Sequence, residues 1–261
     1  MTRALITLVC LLSPLSFGQF TWFVDSDAGG LSIHVQTPVP AITAEFPMVA
    51  FSADRVVQRV HTLADGTRLT DPAMVQHVVV DTQGNTRTET PLFRNGASWN
   101  PTVIQIMDPA GGFMYIAFEG DAVVYKLTHQ ANPRALAARE RQPPGKPSSR
   151  TIEFKDGRKE TLETLEARSI DGVTAAGTRE TMIYPAGARG NDRPLTIVHE
   201  VWYSPDFGTL LAKIADPTAG ESTTKLQNIK PITPDPALFQ PPSAYPVTEI
   251  SGPFMVHLKR P

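Results

Sequence analysis

Cysteine is almost missing from this sequence: Cys10 is the single one in 261 residues. It lies in a leader expected to be removed, so the mature chain has none. That excludes a disulfide framework, thiolate metal sites and cysteine nucleophiles. Long apolar runs are missing as well. The best, Ala4 to Leu12, is shorter than the roughly 20 residues that span a bilayer, so no permanent membrane span is expected after cleavage. An excess of positive charge is the third absence. Without Arg3, 23 basic residues face 26 acidic ones, a net charge of −3 with neutral histidines. Nucleic acid, which asks for clustered Lys and Arg, is excluded as a partner. Long helices are disfavoured by 24 prolines, each lacking the N–H a helix interior needs.

What is present begins with a leader. Arg3 supplies a positive start, Ala4 to Leu12 the apolar stretch, and Pro14 ends any helix. Ser16-Phe17-Gly18 offers small residues where a signal peptidase reads. Cleavage is expected between Gly18 and Gln19, making 1–18 a signal peptide and the protein an exported one, periplasmic or extracellular. A lipoprotein leader is disfavoured, because Val9 stands where a small residue is wanted and Cys10 sits inside the apolar stretch. The remaining chain of about 240 residues is long enough to bury its own core.

Residues 19–48 show no clear period, and Pro38, Pro40 and Pro47 suggest an extended N-terminal arm. From Val49 the pattern changes to short β-rich segments separated by turns every 10 to 15 residues. Phe51 to Leu63 precedes an Asp65-Gly66 hairpin signal, and Met74 to Val80 reads as a strand. Thr86 to Thr90 alternates but is polar, as an edge or solvent-facing strand would be. Val103 to Met107, Phe113 to Phe118 and Ala122 to Leu127 follow. Residues 131–150 are rich in Ala, Arg and Pro and read as a flexible insertion loop. Strands resume at Glu160, turn at Asp171-Gly172, and continue to Tyr184. Leu195 to Tyr203 is the strongest strand, with Val198, Glu200 and Trp202 on one face and Ile197, His199, Val201 and Tyr203 on the other. Such a strand, apolar on both faces, is usually covered on both. Thr209 to Ile214 and Glu221 to Ile229 complete the run.

The C-terminal third carries His199-Glu-Val-Trp-Tyr-Ser-Pro-Asp206, Asp216-Pro-Thr-Ala-Gly220, Leu226-Gln-Asn-Ile229 and Asp235-Pro-Ala-Leu-Phe239. This order resembles the end of LolA-like proteins, relatives of the periplasmic carrier of outer-membrane lipoproteins. There a tryptophan-bearing strand, a D-P-x-x-G hairpin, an L-x-N-I strand and a D-x-x-L-F-x-x-P tail follow one another. The chain also resembles a group of exported bacterial proteins sharing the string G-T-R … P-A-G-x-x-G-N-x-R-P … W-Y-S-P, found here from Gly177 to Pro205. The LolA-like resemblance implies a mostly β fold: a single curved antiparallel sheet, an open half-barrel with few short helices, over 49–245. Residues 131–150 are then an insertion within it and 246–261 a C-terminal tail. It further implies a hydrophobic concave face that takes lipid, a lipoprotein or another apolar partner. Trp202, Tyr115, Phe118 and Leu211 are the candidate ligand-binding residues. The amphipathic helices that fill the family's cavity have no counterpart in the sequence.

No catalytic residue is recognised, and no cofactor is expected. His199-Glu200 begins like a zinc-protease motif, but the second histidine would fall at position 203, where Tyr203 stands on a strand. His34, His61, His77, His129 and His257 are scattered without ligand spacing. Glu200 beside Trp202 calls for a cationic partner, and Arg179 and Arg193 are the candidates. Gly187 and Gly190 sit in a turn with no Gly-Lys-Ser or Gly-Lys-Thr after them, so they are not a phosphate loop. Ser204 lacks the flanking glycines of a nucleophile elbow. Three functions stay open: a non-enzymatic envelope protein binding an apolar group, a protein-interaction or sensory module, and a hydrolase with an unrecognised site.

Overall fold

The computed structural model describes residues 5–6, 22–26, 30–35, 47–93, 99–128 and 146–260. In chain order the strands are β1 (Leu5–Ile6), β2 (Trp22–Ser26), β3 (Gly30–Val35), β4 (Phe51–Thr62), β5 (Arg68–Thr70) and β6 (Met74–Val80). Then come β7 (Thr86–Pro91), β8 (Thr102–Asp108), β9 (Phe113–Phe118), β10 (Val124–Thr128), β11 (Ser148–Glu153) and β12 (Lys159–Ile170). The last are β13 (Val173–Tyr184), β14 (Leu195–Ser204), β15 (Gly208–Asp216), β16 (Gly220–Pro231), β17 (Val247–Ile250) and β18 (Phe254–Lys259). The protein is mostly β, as expected, and its sheets are open rather than closed into a barrel. Among the described residues the one helix is a 3-10 turn, Pro236–Phe239, capped by Asp235, whose Oδ1 accepts from the Ala237 amide.

The chain divides into two compact units: Met1–Ser52, Gln76–Glu140 and Pro231–Pro261 form the first, Ala53–Val75 and Arg141–Lys230 the second. In the first unit, β6, β7, β8, β9 and β10 are neighbours in that order, and β17 is added parallel to β10. A separate small sheet orders β1, β2, β3 and β18. The expected arm thus contains two strands and the expected tail contains two more, paired across the chain: Ser32 Oγ meets His257 Nδ1, 225 residues away. One core joins both sheets. Ile33, Val35, Val256 and Leu258 from the small sheet meet Val103, Met114, Ile116, Phe118 and Leu127 from the large one. The other face of the large sheet is covered by the 3-10 turn, whose Phe239 packs with Val79 and Ile106.

One expectation fails here. Thr86–Thr90 is not an edge: β7 pairs with both β6 and β8, and Thr86, Thr88 and Thr90 are buried. Interior hydroxyls are tolerated when they find partners. Thr90 Oγ1 accepts from Gln76 Nε2 at 2.9 Å, and Thr86 donates to the Gly84 carbonyl at 3.3 Å.

In the second unit, β11 to β16 follow in sequence order, β4 comes after β16, and β5 pairs with β4. The expected turns are in place. Gly66, Gly172, Gly187 and Gly190 all have positive φ, which costs a residue without a Cβ nothing. The expected leader lies outside the described residues except for β1, as do its cut at Gly18 and Gln19 and residues 131–145 of the insertion. The rest of that insertion already includes the start of β11.

Candidate functional site

The strongest strand of the sequence, β14, organises the second unit, and its two faces differ in chemistry. On one face Trp202 lies directly opposite Gly177 of β13 and Leu211 of β15. The absent side chain of Gly177 is what makes room for the indole. A Cβ there would stand 2.7 Å from the ring. Two irregularities flank the spot, one between Leu165 and Arg168 in β12 and one at Leu210 in β15, opposite the Trp202–Tyr203 step of β14. Bulges bend a strand and re-aim its side chains. After the first of them, Arg168 lays its guanidinium over the indole, 3.8 Å from the ring centroid. Trp202 is left 4% exposed.

Beside the indole runs a row of alternating charge. Glu163, Arg179, Glu200 and Lys213 are direct neighbours on β12, β13, β14 and β15. Arg179 Nη2 donates to Glu200 Oε2 at 2.8 Å, and its Nη1 lies 3.8 Å from Glu163 Oε2. Trp202 Nε1 donates to Glu200 Oε1 at 2.7 Å. Burial acts to raise the Glu200 carboxyl, but the hydrogen bonds from Trp202 and Arg179 and the charges of Arg179 and Lys213 outweigh it. The group is held below its ordinary value. Its partner is therefore Arg179; Arg193 instead contacts Asp192 at the surface. The same contacts explain the string Gly177-Thr-Arg179 … Trp202: its members meet in space. The intervening loop is bonded to itself. Asn191 Nδ2 donates to the Pro185 and Arg193 carbonyls, and the Arg189 amide donates to Asn191 Oδ1.

The opposite face is mixed, with apolar side chains set among Glu160, Glu180 and His199. Met182 pairs with Ile197, Ile214 with His199, and Ala212 with Val201. Leu162 adds to it from β12, opposite Glu180. Ile197 and Ala212 are buried, whereas Leu162, Met182, Val201 and Ile214 are half-buried. Full cover on both faces of β14, expected from its composition, is thus not reached: most of its residues keep some exposure.

The four candidate ligand residues are distributed unevenly. Trp202 and Leu211 are neighbours on the charged face of the second unit, both buried. Tyr115 and Phe118 belong to the first unit and stand on opposite faces of β9. Phe118 is inside the two-sheet core, and Tyr115 packs beside Phe239, Val79 and Ile106. The structure brings the first pair together and separates the second. An open cleft of about 260 Å³ lies at the end of the charged face, lined by His61, Thr62, Val198, Asp216 and Glu221 among others. Its carboxylates are occupied: Glu221 takes a two-pronged bond from Arg68, and Asp216 accepts from Thr218. Among the described residues, no group of three or more His, Cys, Asp or Glu is placed to hold a metal. No described helix is long and apolar enough to cross a membrane. The Arg168 stack and the apolar patch were not foreseen. A bulge position carries no local sequence mark, and the patch draws single residues from four strands.

The chain matches no family model and no curated protein. A protein with a YmcC-like fold from Bacteroides fragilis aligns at 12% identity over 72% of this chain and 99% of its own, with a TM-score of 0.28. LprF from Mycobacterium bovis aligns at 14% identity over 72% of this chain and 90% of its own, with a TM-score of 0.27.

Proposed function

We propose that the protein is a non-enzymatic, exported envelope protein that binds an apolar group on the sheet of its second unit. The group is a lipid or the lipid part of a lipidated partner. The observation that supports this reading is the asymmetry of β12–β15. One face spends its polar groups on each other and seals its indole. The other presents Leu162, Met182, Val201 and Ile214 half-buried, with Glu180 and His199 between Leu162 and Ile214. A bound chain that completed the burial of these side chains would gain about 25 cal/mol for each Å² of apolar surface removed from water. Trp202 and Leu211, on the sealed face, then support the sheet and do not touch ligand.

Native mass spectrometry of the mature protein, taken gently from envelope extracts, tests this. Co-purifying lipid is expected, and Val201→Glu is expected to lose it while keeping its far-ultraviolet dichroism. A wild-type protein that carries no lipid, and acquires none from phospholipid vesicles, sinks the proposal. It would favour the protein-interaction reading. N-terminal sequencing of the exported form should begin at Gln19; material still starting at Met1 would contradict the export step.

A further inference from the structure

Inside the first unit two polar side chains are left without a protein partner. Thr88 on β7 and Gln105 on β8 are direct cross-strand neighbours. They belong to a row that crosses four strands: Val78, Thr88, Gln105, Ile116. This is the core-facing side, since Ile116 and the flanking Val103, Met107 and Phe118 all belong to the buried cluster. Val78 and Ile116 are 0% exposed and Thr88 is 6% exposed. Gln105, between Thr88 and Ile116, is nevertheless only half-buried. Water therefore reaches part of the Gln105 side chain, in a row whose other members are closed.

Hydrogen bonding singles out the same spot. In the next row Thr90 accepts from Gln76, and in the row beyond Thr88 on the other side Thr86 donates to Gly84. Among the described residues, neither the Thr88 hydroxyl nor the Gln105 carboxamide makes a hydrogen bond. Buried polar groups in native proteins nearly always have a partner, protein or ordered water. The hydroxyl offers one donor and two acceptor positions, and the carboxamide two donors and an acceptor. Directly paired strand residues stand about 5 Å apart, so both side chains reach one point between them. A buried water typically makes about three hydrogen bonds, and this pair supplies them.

We propose that an ordered internal water bridges Thr88 Oγ1 and the Gln105 carboxamide in the core of the first unit. Water-selective nuclear Overhauser spectroscopy on the full mature chain is the test. Long-lived water cross-peaks to the Gln105 side-chain amide and the Thr88 methyl are expected in the wild type. They should vanish in a Thr88→Val/Gln105→Leu double variant, whose fold is checked by its dispersed amide spectrum. Wild-type spectra without such cross-peaks overturn the proposal even if the double variant fails to fold. So do cross-peaks that persist in a folded double variant, or crystallographic density at this point for a larger molecule.

Discussion

The two units of this protein are built from the same kind of strand and hold themselves together differently. The first buries apolar side chains between two sheets, and residues such as Ile33, Ile116 and Val103 are fully enclosed. The second has longer strands, ten or twelve residues in β12, β13, β14 and β16, yet most of their side chains are half-buried or exposed. Beside buried residues such as Val57, Met74 and Leu210, it uses cross-strand pairs: an indole on a glycine, a guanidinium on the indole, and a row of opposite charges. Such pairs contribute roughly 0.2–1 kcal/mol each, less than a closed core residue. The difference shows that strand length is no measure of core. It also leaves Leu162, Met182, Val201 and Ile214 of the second unit half-buried.

The comparison breaks most sharply at Trp202. Trp202→Ala removes the largest of the buried side chains of β12–β16, at a cost of about 3–5 kcal/mol. Denaturant unfolding should show the loss. Hydrogen exchange should place it in β12–β16 and leave the protection of β8 and β9 intact. Equal loss of protection in both regions would mean that the two are not separately supported.

Gly177→Ala comes next. Its methyl would meet the indole at 2.7 Å, and overpacking of this kind costs about 1–3 kcal/mol. A lower melting point and a changed tryptophan emission are expected. An unchanged emission would show that the ring is free to move aside.

Acid sharpens the contrast further. The Glu200 carboxyl is held below its ordinary value of 4.5 in the folded protein. Its contribution is thus present above pH 4.5 and is lost as pH falls through the lower folded value. Stability measured between pH 5 and 3 should fall less steeply in Glu200→Gln than in the wild type. Parallel slopes would remove Glu200 from the account.

The smallest effect is expected at Arg68→Ala. The Arg68–Glu221 bond is two-pronged, but the two side chains are 55% and 48% exposed, and exposed pairs contribute about 0–1 kcal/mol. A loss well above that range would mark the β4–β5 hairpin as a structural clamp.

Much of this architecture was legible before the structure. The Asp-Gly turns, the strands from Phe51 to Ile229 and the cationic partner of Glu200 are local matters or matters of adjacent strands. Turn residues fix positive φ where they stand, and a two-residue period shows which side chains share a face. The sequence by itself determined the β class, the turn positions and which side chains of β14 share a face. Only the tertiary structure decided that β3 pairs with β18 from the far end of the chain. It alone decided that the threonines of β7 face inward, and that a bulge sets Arg168 on Trp202. Pairing between distant segments leaves no periodic mark in either one. A threonine reads the same on an edge as in an interior, until the neighbouring strand supplies or withholds its hydrogen-bond partner.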